Sequence, residues 1–328
     1  MAQSLVLVDA ALCISPTVRR PKSAGGPRRQ TERLGRAPDA ERRHDGARAV
    51  ASSGSNQSDS RSTDGAVLIL PGFLSGSEAY SDMKMAMRDM GFAAEVVPIK
   101  KSDWYPTLWG SSFEFYLEPL AERIDDMHSE FGKISLVGHS AGGWLARICL
   151  GDKEYNGQLW GRSGKVHTLI TLGAPHLSKE LYPFGRVQEK VTGPVDVSLP
   201  EAAAGSSLQF ANHFYPTAAS LGNVNVVCVV GKLTTGRPLT LSERWQYYSQ
   251  LKRVPKEVAR KDFAFASYKA NCGDGHATGD GVCDINTALL PSARHVILDS
   301  VYHSPGSGLS WYGSREVIPQ WSTYIGKR

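Results

Sequence analysis

Gly138-His139-Ser140-Ala141-Gly142 sets a serine between two glycines, each two residues away. The short apolar run Ile134-Ser135-Leu136-Val137 leads in, and a helical pattern carrying Trp144, Leu145 and Ile148 leads out. A serine on a strained strand-to-helix turn is lifted clear of the sheet, and a Cβ at either flanking glycine would clash. Its hydroxyl can then act as a nucleophile, while the N–H of Ala141 points to the space where a tetrahedral oxyanion would form. Such a hole needs a second N–H from the loop after an earlier strand. Leu70-Pro71-Gly72-Phe73 ends the first apolar run, which makes Phe73 the candidate donor, with Leu74 beside it.

A serine nucleophile needs a base, and the base needs an orienting acid. Of the nine histidines, His44 lies in the N-terminal segment, His128 precedes the serine and His139 is inside the turn itself. His167, His176, His213, His276, His295 and His303 come after it. Asp274 and Asp280, each followed by glycine, compete for the acid, with Asp284 and Asp299 behind them.

The elements that would position these groups alternate between strand and helix. Apolar runs read as strands at Ala66–Leu70, Ala94–Ile99, Ile134–Val137, Val166–Leu172, Val224–Val230 and Arg294–Leu298. Between them, Ser77 reads as the cap of a helix with Tyr80, Met83, Met87 and Met90 on one face. Further helices are expected over Ser112–Phe131 and Gly142–Leu150, and one over Arg315–Ile325 kinked at Pro319. This order implies an α/β fold, a mostly parallel central sheet covered by helices on both faces. Residues 173–223 and 232–293 break the rhythm and read as two long insertions at strand ends, where such sheets carry their function.

Taken together, Leu70–Phe73, Leu136–Trp144, Leu172-Gly173-Ala174-Pro175-His176 and Gly279-Asp280-Gly281-Val282 resemble the α/β-hydrolase superfamily over roughly residues 66–325. The likeness is to its lipase-type branch, which includes the GPI inositol-deacylase-like proteins of plants and algae. That resemblance implies the chain order serine, acid, histidine. It places the base just past the last strand, at His303 in Tyr302-His303-Ser304-Pro305-Gly306, whereas His295 starts that strand at the wrong end of the sheet. It also implies an acid in an Asp-Gly-apolar-apolar turn about twenty residues earlier. Asp280, followed by Gly281, Val282 and Cys283, fits that turn; Asp274 lacks the apolar pair. One departure is Pro71-Gly72 where the family carries His-Gly, which leaves the N–H of Phe73 in place.

Aromatic residues on two segments suit an apolar acyl or terpenoid chain. Residues 103–116 hold Trp104, Tyr105, Trp109, Phe113 and Phe115; residues 176–222 hold Leu177, Leu181, Tyr182, Phe184, Phe210, Phe214 and Tyr215. The residues expected to meet the substrate are Leu74, His139, Trp109, His176 and Phe214. The same aromatics could instead pack the insertions onto the core. The chemistry expected is hydrolysis of a carboxylic ester, with a lipid or other bulky apolar ester as the expected substrate. The alternatives are an acyltransferase with the same triad and a catalytically silent binding protein.

The chain has 328 residues and a net charge of +5, of which +4 belongs to residues 1–64. The remainder is electrically balanced, so nothing there argues for a nucleic-acid partner. No apolar run reaches the ~20 residues of a membrane-spanning helix, which leaves peripheral membrane contact as the expectation. Residues 1–64 are rich in Arg, Ser, Ala and Gly, with one acid against five bases among the first 30. They read as a disordered extension resembling an organelle transit peptide, for a plastid first and a mitochondrion second. A plain tail or a secretory signal in Leu5–Ile14 remains open. The hydrolase-like domain would then span 65–328. Cys272 and Cys283 flank one glycine-rich loop and could bridge. No spacing matches a zinc site and no phosphate- or dinucleotide-binding pattern occurs, so no cofactor is expected.

Overall fold

A computed structural model describes residues 65–179 and 206–326. The N-terminal extension, and with it the targeting reading, lies outside the described residues, as do Leu181, Tyr182 and Phe184 of the first insertion.

Six strands form the central sheet: β1 Ala66–Leu70, β2 Ala93–Val96, β3 Ile134–His139, β4 Val166–Leu172, β5 Asn225–Lys232 and β6 Arg294–Asp299. Their order is β6-β5-β4-β3-β1-β2, and every neighbouring pair is parallel. The helices are α1 Ser81–Asp89, α2 Glu114–Phe131, α3 Ala141–Leu150, α4 Ser207–Phe214, α5 Leu241–Leu251, α6 Lys256–Cys272, α7 Ile285–Ala288 and α8 Ile318–Ser322. This is the α/β-hydrolase fold.

The inner strands β1, β3, β4 and β5 are buried almost throughout because successive side chains enter different cores. Leu68, Leu70, Leu136, Leu169 and Cys228 pack with Tyr116, Leu120 and Ile124 of α2 and Leu145 and Ile148 of α3. Val67, Ile69, Val137, Ile170 and Val229 face the other way, onto Met83 and Met87 of α1 and onto Tyr312, Ile318 and Trp321 near the C-terminus.

Three expected elements come out differently. Ser77 does not cap α1; Ser77–Tyr80 is a 3-10 turn behind Gly76, α1 starts at Ser81, and Met90 at its end is exposed. The second strand stops at Val96 rather than Ile99. The last helix covers only Ile318–Ser322, with Pro319 in its first turn and no kink. Proline lacks an N–H, and the first turn is where that loss costs nothing. Cys272 and Cys283 are both free thiols.

The strand order reverses at β1, which has β2 on one side and β3 on the other. Parallel sheets open a crevice at the carboxyl ends of strands at such a switch point. Here those ends carry Pro71-Gly72-Phe73 and Ser140, since Leu70 pairs with Gly138.

Candidate active site

Ser140 sits between β3 and α3 with φ 50° and ψ −121°, a left-handed conformation that costs a non-glycine residue about 1–3 kcal/mol. Its N–H is held by the carbonyl of Leu172 at 2.9 Å. The flanking glycines are obligatory. A Cβ on Gly138 would lie 2.6 Å from Gly143 Cα, and one on Gly142 would lie 2.6 Å from the carbonyl oxygen of Leu70. Gly72 is constrained as well, because its Cβ would stand 2.8 Å from His139 Nδ1 and 3.1 Å from Ser140 Cβ. The backbone leading to Phe73 therefore passes directly against the serine turn.

His303, in the loop after β6, directs Nδ1 to Asp280 Oδ2 at 2.7 Å, and both side chains are buried. The carboxylate is saturated with donors. Oδ1 accepts the N–H of Val282 at 2.9 Å and of Cys283 at 2.7 Å. Oδ2 also accepts the hydroxyl of Tyr312 at 2.7 Å. The main chains are tied too, His303 N–H donating to the Asp280 carbonyl at 3.1 Å. Because a carboxylate oxygen only accepts, Nδ1 carries a proton and donates it to Oδ2; in the neutral imidazole the lone pair is then on Nε2. Gly173, at φ 56°, gives this pair its room: a Cβ there would fall 2.5 Å from Asp280 Oδ2 and 3.0 Å from His303 Nδ1.

The competing acids are placed elsewhere. Asp274 is exposed, and its carboxylate accepts the nearby N–H of His276 at 2.8 Å. Asp284 caps α7 by accepting from Thr287 N. Asp299 is exposed at the end of β6.

A second chain of bonds couples the two loops across the serine turn. Gly72 N–H donates to Tyr80 Oη at 2.8 Å, Tyr80 Oη meets His139 Nδ1 at 2.7 Å, and His139 Nε2 meets the carbonyl of His303 at 2.9 Å. A carbonyl only accepts, so Nε2 bears the proton and Tyr80 donates to Nδ1. Burial holds the His139 imidazole well below its usual range, and the nearby His303 adds to this. Burial raises the Tyr80 phenol. Both stay neutral, and the donor-acceptor sense of the chain is fixed.

Four of the five residues expected to meet the substrate are engaged within the protein, and the fifth, Trp109, faces solvent. Leu74 is buried in the core despite its φ of 54°. His139 is buried in the network above. His176 is fully buried, 3.1 Å from Thr171 Oγ1 and 3.5 Å from the Arg147 guanidinium. Burial, then the Arg147 charge, holds it well below its usual range. Phe214 packs on Phe210 of the same helix, with ring centroids 4.8 Å apart, and against the core. Trp109 is 81% exposed. Two other rings of its segment hold the loop after β1. Trp104 is buried, donates to the Ser75 carbonyl at 2.8 Å and stacks edge-on against Phe73 at 5.3 Å. Tyr116 donates to the Pro71 carbonyl at 2.7 Å.

Tyr312, Tyr80 and Arg147 support the site without a motif that marks them in the sequence. Tyr80 was legible only as an apolar position, although a buried tyrosine must satisfy its hydroxyl. Arg147, buried on α3, donates to Asn212 Oδ1 at 3.0 Å and to the Ala211 carbonyl at 2.8 Å, and also bonds the Tyr215 carbonyl. It thereby fastens the first insertion to the helix that follows the serine.

A family described as the PGAP1-like alpha/beta domain matches residues 111–251. No curated protein matches. Among solved structures, the chain is similar to one of the metagenome-derived lipolytic enzymes LipS and LipT at 10% identity and a TM-score of 0.41, over 80% of this chain and 92% of that one. It is similar to the phospholipase PlaB from Legionella pneumophila at 9% identity and a TM-score of 0.41, over 79% of this chain and 63% of that one. It is similar to tomato methylketone synthase I at 14% identity and a TM-score of 0.34, over 58% of this chain and 85% of that one.

Proposed function

We propose that this chain is a serine ester hydrolase in which Ser140, His303 and Asp280 act together on a lipid or other bulky apolar carboxylic ester. The observation that carries the reading is the buried Asp280–His303 pair at 2.7 Å, in the same fold as a serine at φ 50° on the turn after β3. Ser140 Oγ attacks the carbonyl carbon while its proton passes to His303 Nε2. The oxyanion is stabilised by the N–H groups of Ala141 and Phe73. The tetrahedral species collapses, the C–O bond to the alcohol breaks, and the alcohol takes the proton from Nε2. Water repeats the sequence on the acyl-enzyme and releases the acid. Asp280 keeps the Nδ1 proton in place and stabilises the imidazolium at both steps.

The lipid preference draws on the sequence likeness to the lipase-type branch and its inositol-deacylase-like members. Delivery to a plastid by residues 1–64 belongs to the same proposal. The chemistry is tested with a fluorophosphonate probe on the full chain: wild type is expected to label and Ser140→Ala is not. The variant should also lose at least about 10³-fold in kcat. Normal labelling of Ser140→Ala would overturn the mechanism.

A further inference from the structure

Among the described residues α5 is the α-helix with no buried side chain. It is nevertheless amphipathic. Leu241, Trp245, Tyr248 and Leu251 recur at spacings of 4, 3 and 3, which puts them on one face. That face is turned to solvent, with Leu241 86%, Trp245 75%, Tyr248 57% and Leu251 55% exposed. Its other side presents Ser242, Gln246, Ser249 and Gln250.

The charge around this helix is one-sided. Residues 232–262 hold eight Lys and Arg against three Asp and Glu, a net of +5, so the rest of 65–328 is net negative. Each of the three acids already has a cation: Glu243 with Arg237, Asp262 with Arg244, and Glu257 with Lys261. Lys252, Arg253 and Lys256, in the turn after α5, are exposed and have no ion-pair partner among the described residues. The helix is also held in shape without a partner. Thr240 and Glu243 form a reciprocal cap, with Glu243 N–H on Thr240 Oγ1 at 3.2 Å and Thr240 N–H on Glu243 Oε2 at 2.9 Å.

We propose that α5 and the 252–256 turn form a docking surface for an anionic lipid membrane. An apolar face with an aromatic and leucines sinks into the acyl boundary, while adjacent Lys and Arg meet lipid phosphates. An electrically neutral apolar partner would leave those cations unanswered; an anionic bilayer satisfies both features at once. The surface belongs to the insertion that carries Asp280. That insertion leaves the sheet at the carboxyl end of β5, the same edge as Ser140. Its next helix, α6, braces the acid's turn, since Gly281 N–H donates to Tyr268 Oη at 2.8 Å. Docking through α5 therefore holds the site edge at the lipid surface. The inference deepens the lipid-ester reading and rests on it for its purpose, while its physical basis is the surface itself.

The test is vesicle co-sedimentation of the full chain with phosphatidylcholine vesicles, with and without about 30% phosphatidylglycerol. Two variants are compared with wild type: Leu241→Ser/Trp245→Ser/Leu251→Ser, and Lys252→Glu/Arg253→Glu/Lys256→Glu. The basic segment 1–64 is common to all three and cancels in the comparison. Wild type is expected to bind the anionic vesicles and to lose binding in high salt, and each variant to bind at least about tenfold more weakly. Equal binding by wild type and the charge-reversal variant would overturn the proposal, as would absence of binding by wild type. Loss of self-association in the apolar variant, with vesicle binding intact, would also overturn it and assign the face to a second copy. Fluorophosphonate labelling and hydrolysis of a soluble short ester are expected to be unchanged in both variants, which also shows that they fold. Failure of labelling in wild type would instead strike the hydrolase reading and leave the vesicle result standing on its own.

Discussion

Asp274 and Asp280 stand six residues apart in one insertion, and each precedes a glycine. Asp280 is fully buried under four donors: two backbone N–H groups, a phenol and an imidazole. Asp274 is exposed and closes a local turn with the N–H of His276. The shared Asp-Gly dipeptide does not decide between them; the two residues after it do. Beyond Asp280, Gly281 takes φ 99°, which lets the N–H groups of Val282 and Cys283 fold back onto Oδ1. Cys283 then enters a small core with Val230 and Ala288, and this draws the turn inward against β5. Asp274-Gly275 leads into His276 and Ala277, neither of which enters a core; Gly275 lies buried against Phe265, while the Asp274 and His276 side chains stay exposed. A buried carboxylate is tolerable only when it is this fully bonded.

Amide substitution of the two aspartates gives the largest expected separation. Asp280→Asn should lower kcat by about 10²–10⁴-fold with the fold retained, because the amide no longer holds the Nδ1 proton of His303. Asp274→Asn should stay within about twofold of wild type. Steady-state kinetics on one soluble ester, with melting temperatures alongside, checks both, and the reverse ranking would break the comparison.

Tyr312→Phe tests whether the donors, and not burial alone, make Asp280 what it is. The phenol donates to Oδ2 and accepts the Gly231 N–H at 2.7 Å. Burial, then the Asp280 charge, keeps it protonated and so a donor. Its removal strips one bond from the carboxylate and orphans a buried N–H, costing about 1–3 kcal/mol of stability. We expect kcat to fall by about tenfold with KM nearly unchanged. A change confined to melting temperature would make the tyrosine a packing residue only.

The sheet is legible in the sequence because six short runs, most of them apolar, between turn signals admit few other arrangements. Val166–Leu172 coincides with β4, and five further runs overlap their strands within a few residues. The serine turn was readable because glycine spacing there is a steric requirement. The supporting network was not, because Tyr80 and Tyr312 contribute one polar atom each from otherwise apolar positions. Periodicity registers the ring and is silent about the hydroxyl. Aromatic content in residues 103–116 likewise registers bulk and is silent about where each ring points: Trp104 and Tyr116 hold the loop after β1, whereas Tyr105 and Trp109 face solvent.

Acidity should expose the second network. His139 is buried neutral with a depressed pKa, so below about pH 6.5 the unfolded chain takes up a proton that the folded chain does not. Stability should fall as pH drops from that point toward the folded-state pKa, with a slope of up to about 1.4 kcal/mol per pH unit for each such group. His176, depressed by burial and by Arg147, adds in the same direction. Denaturant unfolding of wild type and His139→Gln between pH 7.5 and 5 measures the difference. The variant should show the shallower slope, and equal slopes would mean that His139 is not held neutral.

The smallest effect is expected at Trp109, and it sharpens the contrast between bulk that clamps and bulk that is free. Trp109 ends the 3-10 helix Lys101–Trp109, next to Gly110 in a left-handed turn. Five residues earlier, Trp104 is buried with its Nε1 on the Ser75 carbonyl, and it stacks on Phe73 beside the serine turn. Truncating Trp109 removes a ring that already lies in water, so little apolar burial is lost. Trp109→Ala should therefore leave kcat/KM within about twofold across a chain-length series of p-nitrophenyl esters. Trp104→Phe keeps most of the ring and loses the hydrogen bond that pins the loop, so it should lower kcat for short and long esters alike. If instead Trp109→Ala flattened the gain of about 0.8 kcal/mol expected per buried methylene of the acyl chain, the exposed ring would be a substrate contact. Its high exposure would then describe a surface that ester binding covers.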